Sequence, residues 1–306
     1  MTDSIFNIVS NLPTFLRRHK LIQLLLLIFP ESKIQIISFN GKARLFADLS
    51  DPNPRNYFLT KTFEPEFFHI AQFFLSSPGS IFFDVGANFG FCSFGLLDSV
   101  PADIEYHLFE ANTDIFNLLN RSTSLYPESK VLLNHCCVSD QEGYSKLKIG
   151  KSNLGASFIA EDGEYTIENL ILDRYICEKS ILRIDFMKVD IEGWELAALR
   201  GATESLSKGI IKAIYIEISG SNLARNGLEP KDIFDFLLSQ DFSLYYCKAS
   251  DFESGIAKHE NQFYISNLVD QLTVAKLDQF PPDHQTDILA IHNSSSLTIQ
   301  AQPSFI

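Results

Sequence analysis

The densest cluster of ionisable residues is Lys188-Val-Asp190-Ile-Glu192-Gly193-Trp-Glu195, which follows a short apolar run. If that run is a strand, side chains alternate between its faces, so Lys188, Asp190 and Glu192 share one side. Three ionisable groups on one face of a central strand are costly unless paired or used. A carboxylate placed there can take a proton from a hydroxyl, and a nearby lysine can orient it or shift its pKa. Glu192 is the first candidate for that base, Asp190 the second, and Lys188 an accessory. The structural alternative is an ion-pair network that only positions a loop. Glu217 could join either arrangement. Asp190, Glu192 and Glu217 would also suit magnesium as hard oxygen ligands, but no metal is assigned.

A second cluster is Asp84-Val-Gly86-Ala-Asn88-Phe-Gly90, running from an apolar strand into a turn and a helix. Glycines let backbone approach a ligand closely, and a helix amino terminus favours negative groups. The spacing is not the dinucleotide fingerprint, which would need glycine at Asn88 and Phe91. An aspartate two residues before the first glycine would repel a pyrophosphate but suit a ligand bearing a cationic amino acid. That favours S-adenosylmethionine over NAD. Glu110 ends the next apolar run, 20 residues past Gly90, and is placed to accept both hydroxyls of a ribose.

These residues need a scaffold of alternating strands and helices. Strands are expected at Ile81 to Val85, Glu105 to Phe109, Val131 to Val138, Phe186 to Val189 and Ala213 to Ile218. Helices are expected near 89–98, 113–123, 168–177, 193–207 and 230–239. Such alternation implies right-handed crossovers and a parallel sheet covered on both faces. Phe242 to Cys247 and Ile288 to His292 would close it as an antiparallel edge pair. The stretch 150–166, with Asn153 and Ser157, reads as a long functional loop. His107 and His135 both read as core histidines.

Before residue 63 the pattern differs. Basic residues Arg17 to Lys20 precede Leu21 to Phe29, an apolar run too short to span a bilayer, which needs about 20 residues. It reads as a helix packed on the main domain, with peripheral membrane contact through an interfacial helix as the alternative. Phe39-Asn40-Gly41 between β-rich runs signals a hairpin, and Asp51-Pro-Asn-Pro54 should break regular structure. Residues 1–62 therefore form a cap on a domain spanning 63–306.

The 306 residues carry 25 Lys and Arg against 38 Asp and Glu, a net charge of −13. That argues against nucleic acid as a partner, because phosphate binding draws on clustered Lys and Arg. With 45% hydrophobic residues the chain is globular rather than disordered. Five cysteines without a CxxC pair make a disulfide framework or zinc knuckle improbable, and point to a reducing, cytoplasmic compartment.

The segment Phe186 to Ala202 resembles the K-x-D-x-E-G-x-E signature of the FkbM family of S-adenosylmethionine-dependent methyltransferases. The resemblance extends from about Phe63 to Cys247 and takes in Asp84 to Gly90, Phe109-Glu110 and Ala213 to Ile218. It departs where Ala111-Asn112 stand in place of the proline that often follows the acid. The resemblance implies a class I Rossmann-like α/β fold with a mostly parallel seven-stranded sheet. It also implies methylation of a hydroxyl on a sugar, glycan precursor or small metabolite. By position, Asp84, Gly86, Asn88 and Gly90 would hold the methionine part of the cofactor, and Glu110 the ribose. Ser139 and Asp140 would lie near adenine, while Asp190 and Glu192 would line the boundary between donor and acceptor.

Three rivals remain. An N-methyltransferase would carry an Asn/Asp-Pro-Pro-aromatic turn where Asp190-Ile-Glu-Gly193 stands. A nicotinamide dehydrogenase has the wrong glycine spacing. A binding module that kept the fold without activity would still take up the cofactor.

Overall fold

The computed structural model describes residues 2–13, 17–150, 153–247, 272–274 and 285–295. The chain begins with two helices, α1 (Thr2–Ser10) and α2 (Arg18–Ile28), followed by the expected hairpin of β1 (Ile34–Phe39) and β2 (Ala43–Asp48). Phe39 faces Ala43 in the register, so the loop holds three residues, with Asn40 at φ 45° and Gly41 at φ 93°. Asp51-Pro-Asn-Pro54 does not break structure as expected; it starts α3 (Pro52–Thr60). The Asp51 carboxylate accepts the Asn53 N–H at 2.9 Å, and both prolines fall in the first turn, whose N–H groups have no helical partner.

The main body opens with α4 (Pro65–Phe74), β3 (Ile81–Val85), α5 (Phe91–Leu96), β4 (Glu105–Glu110), α6 (Thr113–Thr123) and β5 (Lys130–His135). Short strands follow: β6 (Cys137–Val138), β7 (Tyr144–Lys148), β8 (Phe158–Ile159) and β9 (Tyr165–Leu170). Then come α7 (Leu172–Glu178), β10 (Phe186–Val189), α8 (Glu195–Arg200), α9 (Thr203–Ser207), β11 (Ala213–Ser219) and α10 (Gly220–Ala224). The described chain ends with α11 (Pro230–Ser239), β12 (Phe242–Cys247), β13 (Leu272–Val274) and β14 (Gln285–His292).

The central sheet runs β13-β12-β14-β11-β10-β3-β4-β5. From β5 to β11 every pair is parallel, and β14 is antiparallel to both β11 and β12. The seven expected strands are all present, with the short β13 added as an eighth at the edge. β12 and β14 form the expected antiparallel pair at that end of the sheet, with β14 inserted between β11 and β12.

Alternation sorts the sheet's side chains into two cores. Phe82, Phe186 and Ile291 pack with α4, α5, α6 and the amino-terminal elements, through residues such as Phe67, Phe94, Ile115, Ile22 and Ile37. Phe83, Met187 and Ile214 pack on the other face with Tyr175 of α7, Leu196 of α8 and Ile233 of α11. No described helix is long and apolar enough to cross a membrane.

Three further boundaries differ from expectation. Val131 to Val138 is two strands, because β6 leaves β5 and pairs with β9 in a separate sheet, β6-β9-β7-β8. An apolar run does not reveal a change of partner. That sheet also takes Phe158–Ile159 and the start of β9 from the stretch 150–166, and it delays the helix expected from 168 to Leu172. The helix expected at 193–207 is two helices. They meet at Gly201, where a Cβ would lie 2.2 Å from the Ser139 carbonyl oxygen.

The chain leaves β3 for β4 and β5 on one side, then returns to β10 and β11 on the other. Crevices at the carboxyl ends of strands at such a reversal are where open α/β sheets bind ligands. Both charged motifs end there.

Candidate active site

A cavity of about 360 Å³ opens at this point, lined by the turn after β3, the end of β4, the segment after β10 and parts of α3 and residues 153–159. Its first wall is the glycine turn. Gly86 sits at φ 81°, and a Cβ there would lie 2.0 Å from the Asp190 carbonyl oxygen. The two motifs thus touch backbone to backbone, and only glycine permits the contact. The Gly86 and Ala87 N–H groups donate to the Phe109 carbonyl at 3.0 and 2.9 Å, tying the turn to β4.

Glu110 completes that wall. Its Oε2 accepts the Asn88 N–H and its Oε1 the Asn112 N–H, both at 2.7 Å. The side chain is nearly buried, and burial pushes its pKa up to about 7 although the backbone donors pull it down. Beside it lies an apolar slot of Ala111, Cys137, Val138, Leu147 and Ile159, closed by Trp194, whose buried indole N–H has no hydrogen-bond partner among the described residues.

Two expected ligand residues stand behind this wall, outside the cavity lining. Asp84 is fully buried. Its Oδ2 accepts the Ser93 hydroxyl at 2.5 Å, and its Oδ1 has no hydrogen-bond partner among the described residues. Burial raises its pKa and the Lys188 charge opposes the rise. Gly90 precedes α5, and a Cβ there would meet Phe94 at 2.5 Å and Leu119 at 2.7 Å, so its role is helix packing. Ser139 and Asp140 also lie outside the lining, which stops at Val138. Ser139 is buried against Gly201.

The opposite wall holds the second motif. β10 ends at Val189, so the strand positions only Lys188; Asp190 and Glu192 lie in the turn beyond it, with Glu192 at φ 58°. Strand alternation therefore does not explain their placement, as it was expected to. The Lys188 ammonium pairs with Asp190 Oδ2 at 3.0 Å and neighbours Asp84 in register. Burial favours its neutral form, but Asp190, Asp84 and Glu64 outweigh this and hold its pKa well above the ordinary lysine value.

Glu192 is held by Asn222, whose Nδ2 donates to Oε2 at 2.8 Å. Burial, then the Asp190 charge, pushes its pKa up to about 7 against the pull of Arg225. Glu195 turns inward instead, accepting the Ile191 and Gly193 N–H groups at 3.2 and 3.0 Å. It holds the turn that presents Glu192.

Two further acids line the cavity: Glu64, which no motif reveals, and Glu217, which was expected to join the acids of the second motif. Glu64, at φ 25°, reaches the cavity from the start of α4. The residue is exposed to solvent yet has protein packed around its carboxyl. Burial raises its pKa to about 8 against the Lys188 charge. Glu217 accepts from Gln285 Nε2 at 2.7 Å and is pushed to about 9 by burial and by Asp190. Among described residues, Lys188 is the single cation in the lining.

Residues 153–159 fold over the turn. Asn112 Nδ2 donates to Ser157 Oγ at 3.1 Å, and the Leu154 N–H donates to Asp51 Oδ2 at 2.6 Å. The amino-terminal cap thus fastens the loop that covers the cavity. His107 is a satisfied core histidine, at 2.8 Å from Tyr175 Oη and 2.9 Å from Glu105 Oε1. His135, expected in the core, is exposed and stacks on Phe116 at 4.6 Å.

A doubly wound sheet in this order, with a glycine turn, a carboxylate ending the second strand and acids after the fourth, defines a class I Rossmann-like methyltransferase. A family model described as the methyltransferase FkbM domain matches residues 84–244, more than half of the chain. The chain belongs to that family and is a methyltransferase. It is 25% identical over 182 residues to the hexuronic acid methyltransferase AglP of Haloferax volcanii, covering 59% of this chain and 71% of the relative. Among solved structures it is similar to an FkbM methyltransferase from Methylobacillus flagellatus, with 18% identity and a TM-score of 0.41. That match covers 78% of this chain and 52% of the other, so the chain spans about half the length of that relative. A putative O-methyltransferase from Klebsiella pneumoniae matches at 8% identity and a TM-score of 0.40, covering 75% of this chain and 79% of that one.

Proposed function

We propose that the protein is an S-adenosylmethionine-dependent O-methyltransferase acting on a hydroxyl of a sugar or glycan precursor. One observation carries this reading: a single cavity joins the Glu110-held glycine turn to Glu192. The cofactor fits the first wall. Glu110 offers a carboxylate to ribose hydroxyls, and the apolar slot with the orphaned Trp194 N–H suits a flat heterocycle with acceptor nitrogens. Gly86 and Asn88 would border the methionine part, and the acidic wall favours a cation.

When bound, the cofactor supplies an electrophilic methyl group on a sulfonium. The protein must orient the acceptor hydroxyl and remove its proton. Glu192 serves as that base: it lines the cavity, Asn222 fixes it, and its pKa near 7 lets it accept a proton at neutral pH. Asp190 raises that pKa and is itself oriented by Lys188. Residues 1–62 act as a cap on the catalytic domain at 63–306, because Asn53, Pro54 and Tyr57 of α3 enclose one side of the cavity. A cytoplasmic location belongs to this reading and accords with the free cysteines Cys92, Cys136, Cys137 and Cys177.

A sugar acceptor is supported by the Haloferax volcanii relative, which methylates hexuronic acid. The test is methyl transfer from radiolabelled S-adenosylmethionine to a panel of glycosides, with phenols and amines as controls. Label on a sugar oxygen is expected. Transfer only to amines or phenols would overturn the reading.

A further inference from the structure

We propose that α2 docks the enzyme on the surface of an anionic lipid bilayer. The helix RHKLIQLLLLI is apolar nearly all round. Ile22 is fully buried, and Leu21, Leu25 and Leu26 pack on the core. Leu24, Leu27 and Ile28 instead face solvent, 53%, 81% and 58% exposed. Their spacing of three and four residues makes them one stripe. α1, which packs on α2, adds Ile8 at 62% exposure. A soluble protein has little reason to keep such a stripe uncovered, because each side chain gains by leaving water.

Charge identifies the surface that covers it. Residues 1–62 hold eight Lys and Arg against four Asp and Glu, while the remaining residues hold seventeen against thirty-four. The cap is therefore at +4 and the rest of the chain at −17. Arg17, His19 and Lys20 lie exposed at the amino end of α2, beside the apolar stripe. A basic collar flanking exposed leucines is the chemistry of a helix lying in the plane of an anionic interface. The acidic body is repelled by the same surface, so attraction and repulsion together orient the molecule. α2 packs on α3, and α3 lines the cavity. If the methyltransferase reading holds, the docked cap would favour an acceptor carried on a lipid; docking itself does not depend on that reading.

Flotation of the full chain with vesicles tests the proposal. Binding to phosphatidylcholine vesicles containing phosphatidylglycerol is expected, with little binding to phosphatidylcholine alone and loss in high salt. Leu27→Ser and Lys20→Glu change exposed side chains, so both should fold normally. Each should lower anionic-vesicle binding at least about fivefold. The proposal is overturned if the wild type fails to float, or if Leu27→Ser floats as well as wild type. It is also overturned if lipid-free sedimentation shows a dimer that Leu27→Ser dissociates, because a second copy would then cover the stripe.

Discussion

Glu110 holds a backbone N–H from the glycine turn with one oxygen and one from the start of α6 with the other. Charge-assisted bonds of this kind contribute about 1.5–3 kcal/mol each. Glu110→Ala should therefore weaken S-adenosylmethionine binding at least about tenfold in calorimetric titration; unchanged affinity would remove Glu110 from the cofactor wall. Glu192 has the opposite profile. Glu192→Gln should leave cofactor affinity intact and lower turnover about 10²- to 10⁴-fold. Wild-type turnover should rise as pH passes through about 7, where Glu192 ionises, and the variant should lack that limb. A variant retaining both rate and limb would assign the proton to another group. Glu110 and Glu192 were legible because each ends or follows an apolar strand at a spacing tied to a known chemistry. Glu64 and Asn222 were not, since neither stands in a motif: tertiary packing alone brings Glu64 to the cavity and Asn222 to Glu192. Asp84 shows the reverse limit. Its spacing suggested a ligand contact, yet strand alternation puts it under the turn beside Lys188, and spacing alone cannot separate the two sides of a wall.

The elements bring these residues together at a few backbone contacts. The tightest joins the turn after β3 to the segment after β10 through Gly86. A methyl group there would lie 2.0 Å from a carbonyl oxygen, on a residue at φ 81°. Gly86→Ala should therefore destabilise the fold by at least about 2 kcal/mol in denaturant titration. Soluble Gly86→Ala protein should also lose cofactor affinity, because the turn must shift away from Asp190. Wild-type stability would mean the two segments are not in contact. The alternation of strands and helices was readable because apolar runs, Gly turns and helical periodicity agree along residues 80–240. The side sheet β6-β9-β7-β8 was not. Tyr144 and Tyr165 are exposed and Ser145, Lys146, Thr166 and Glu168 interrupt any apolar run, so these strands are specified by pairing with one another. The same holds for Asp51, which reads as a loop residue but caps α3 and fastens Leu154.

At the scale of the whole molecule, the cavity concentrates carboxylic acids whose pKa values are raised in the folded state. Glu110 and Glu192 titrate near 7, Glu64 near 8 and Glu217 near 9, against an ordinary value of 4.5. Burial is the largest cause in each, and neighbouring carboxylates add to it. An acid whose folded pKa is raised binds more protons folded than unfolded, so stability falls as pH rises from its unfolded to its folded value. Glu110 and Glu192 complete their loss by about pH 7, Glu64 by about 8 and Glu217 by about 9. Glu64 counts for less, because part of it faces solvent. Below about pH 6.5 the lowered pKa values of His19, His69, His107 and His292 act in the opposite sense. The clean window is therefore above that range. The thermal midpoint should fall by several degrees between about pH 6.5 and 9. Glu217→Gln, which cannot ionise, should flatten the upper part of that fall. A bound cationic ligand should oppose the whole trend, since it favours the ionised acids around it. A midpoint that is level or rising across the window would mean that these carboxylates are already ionised in the folded protein, with cations screening them that the described residues do not supply.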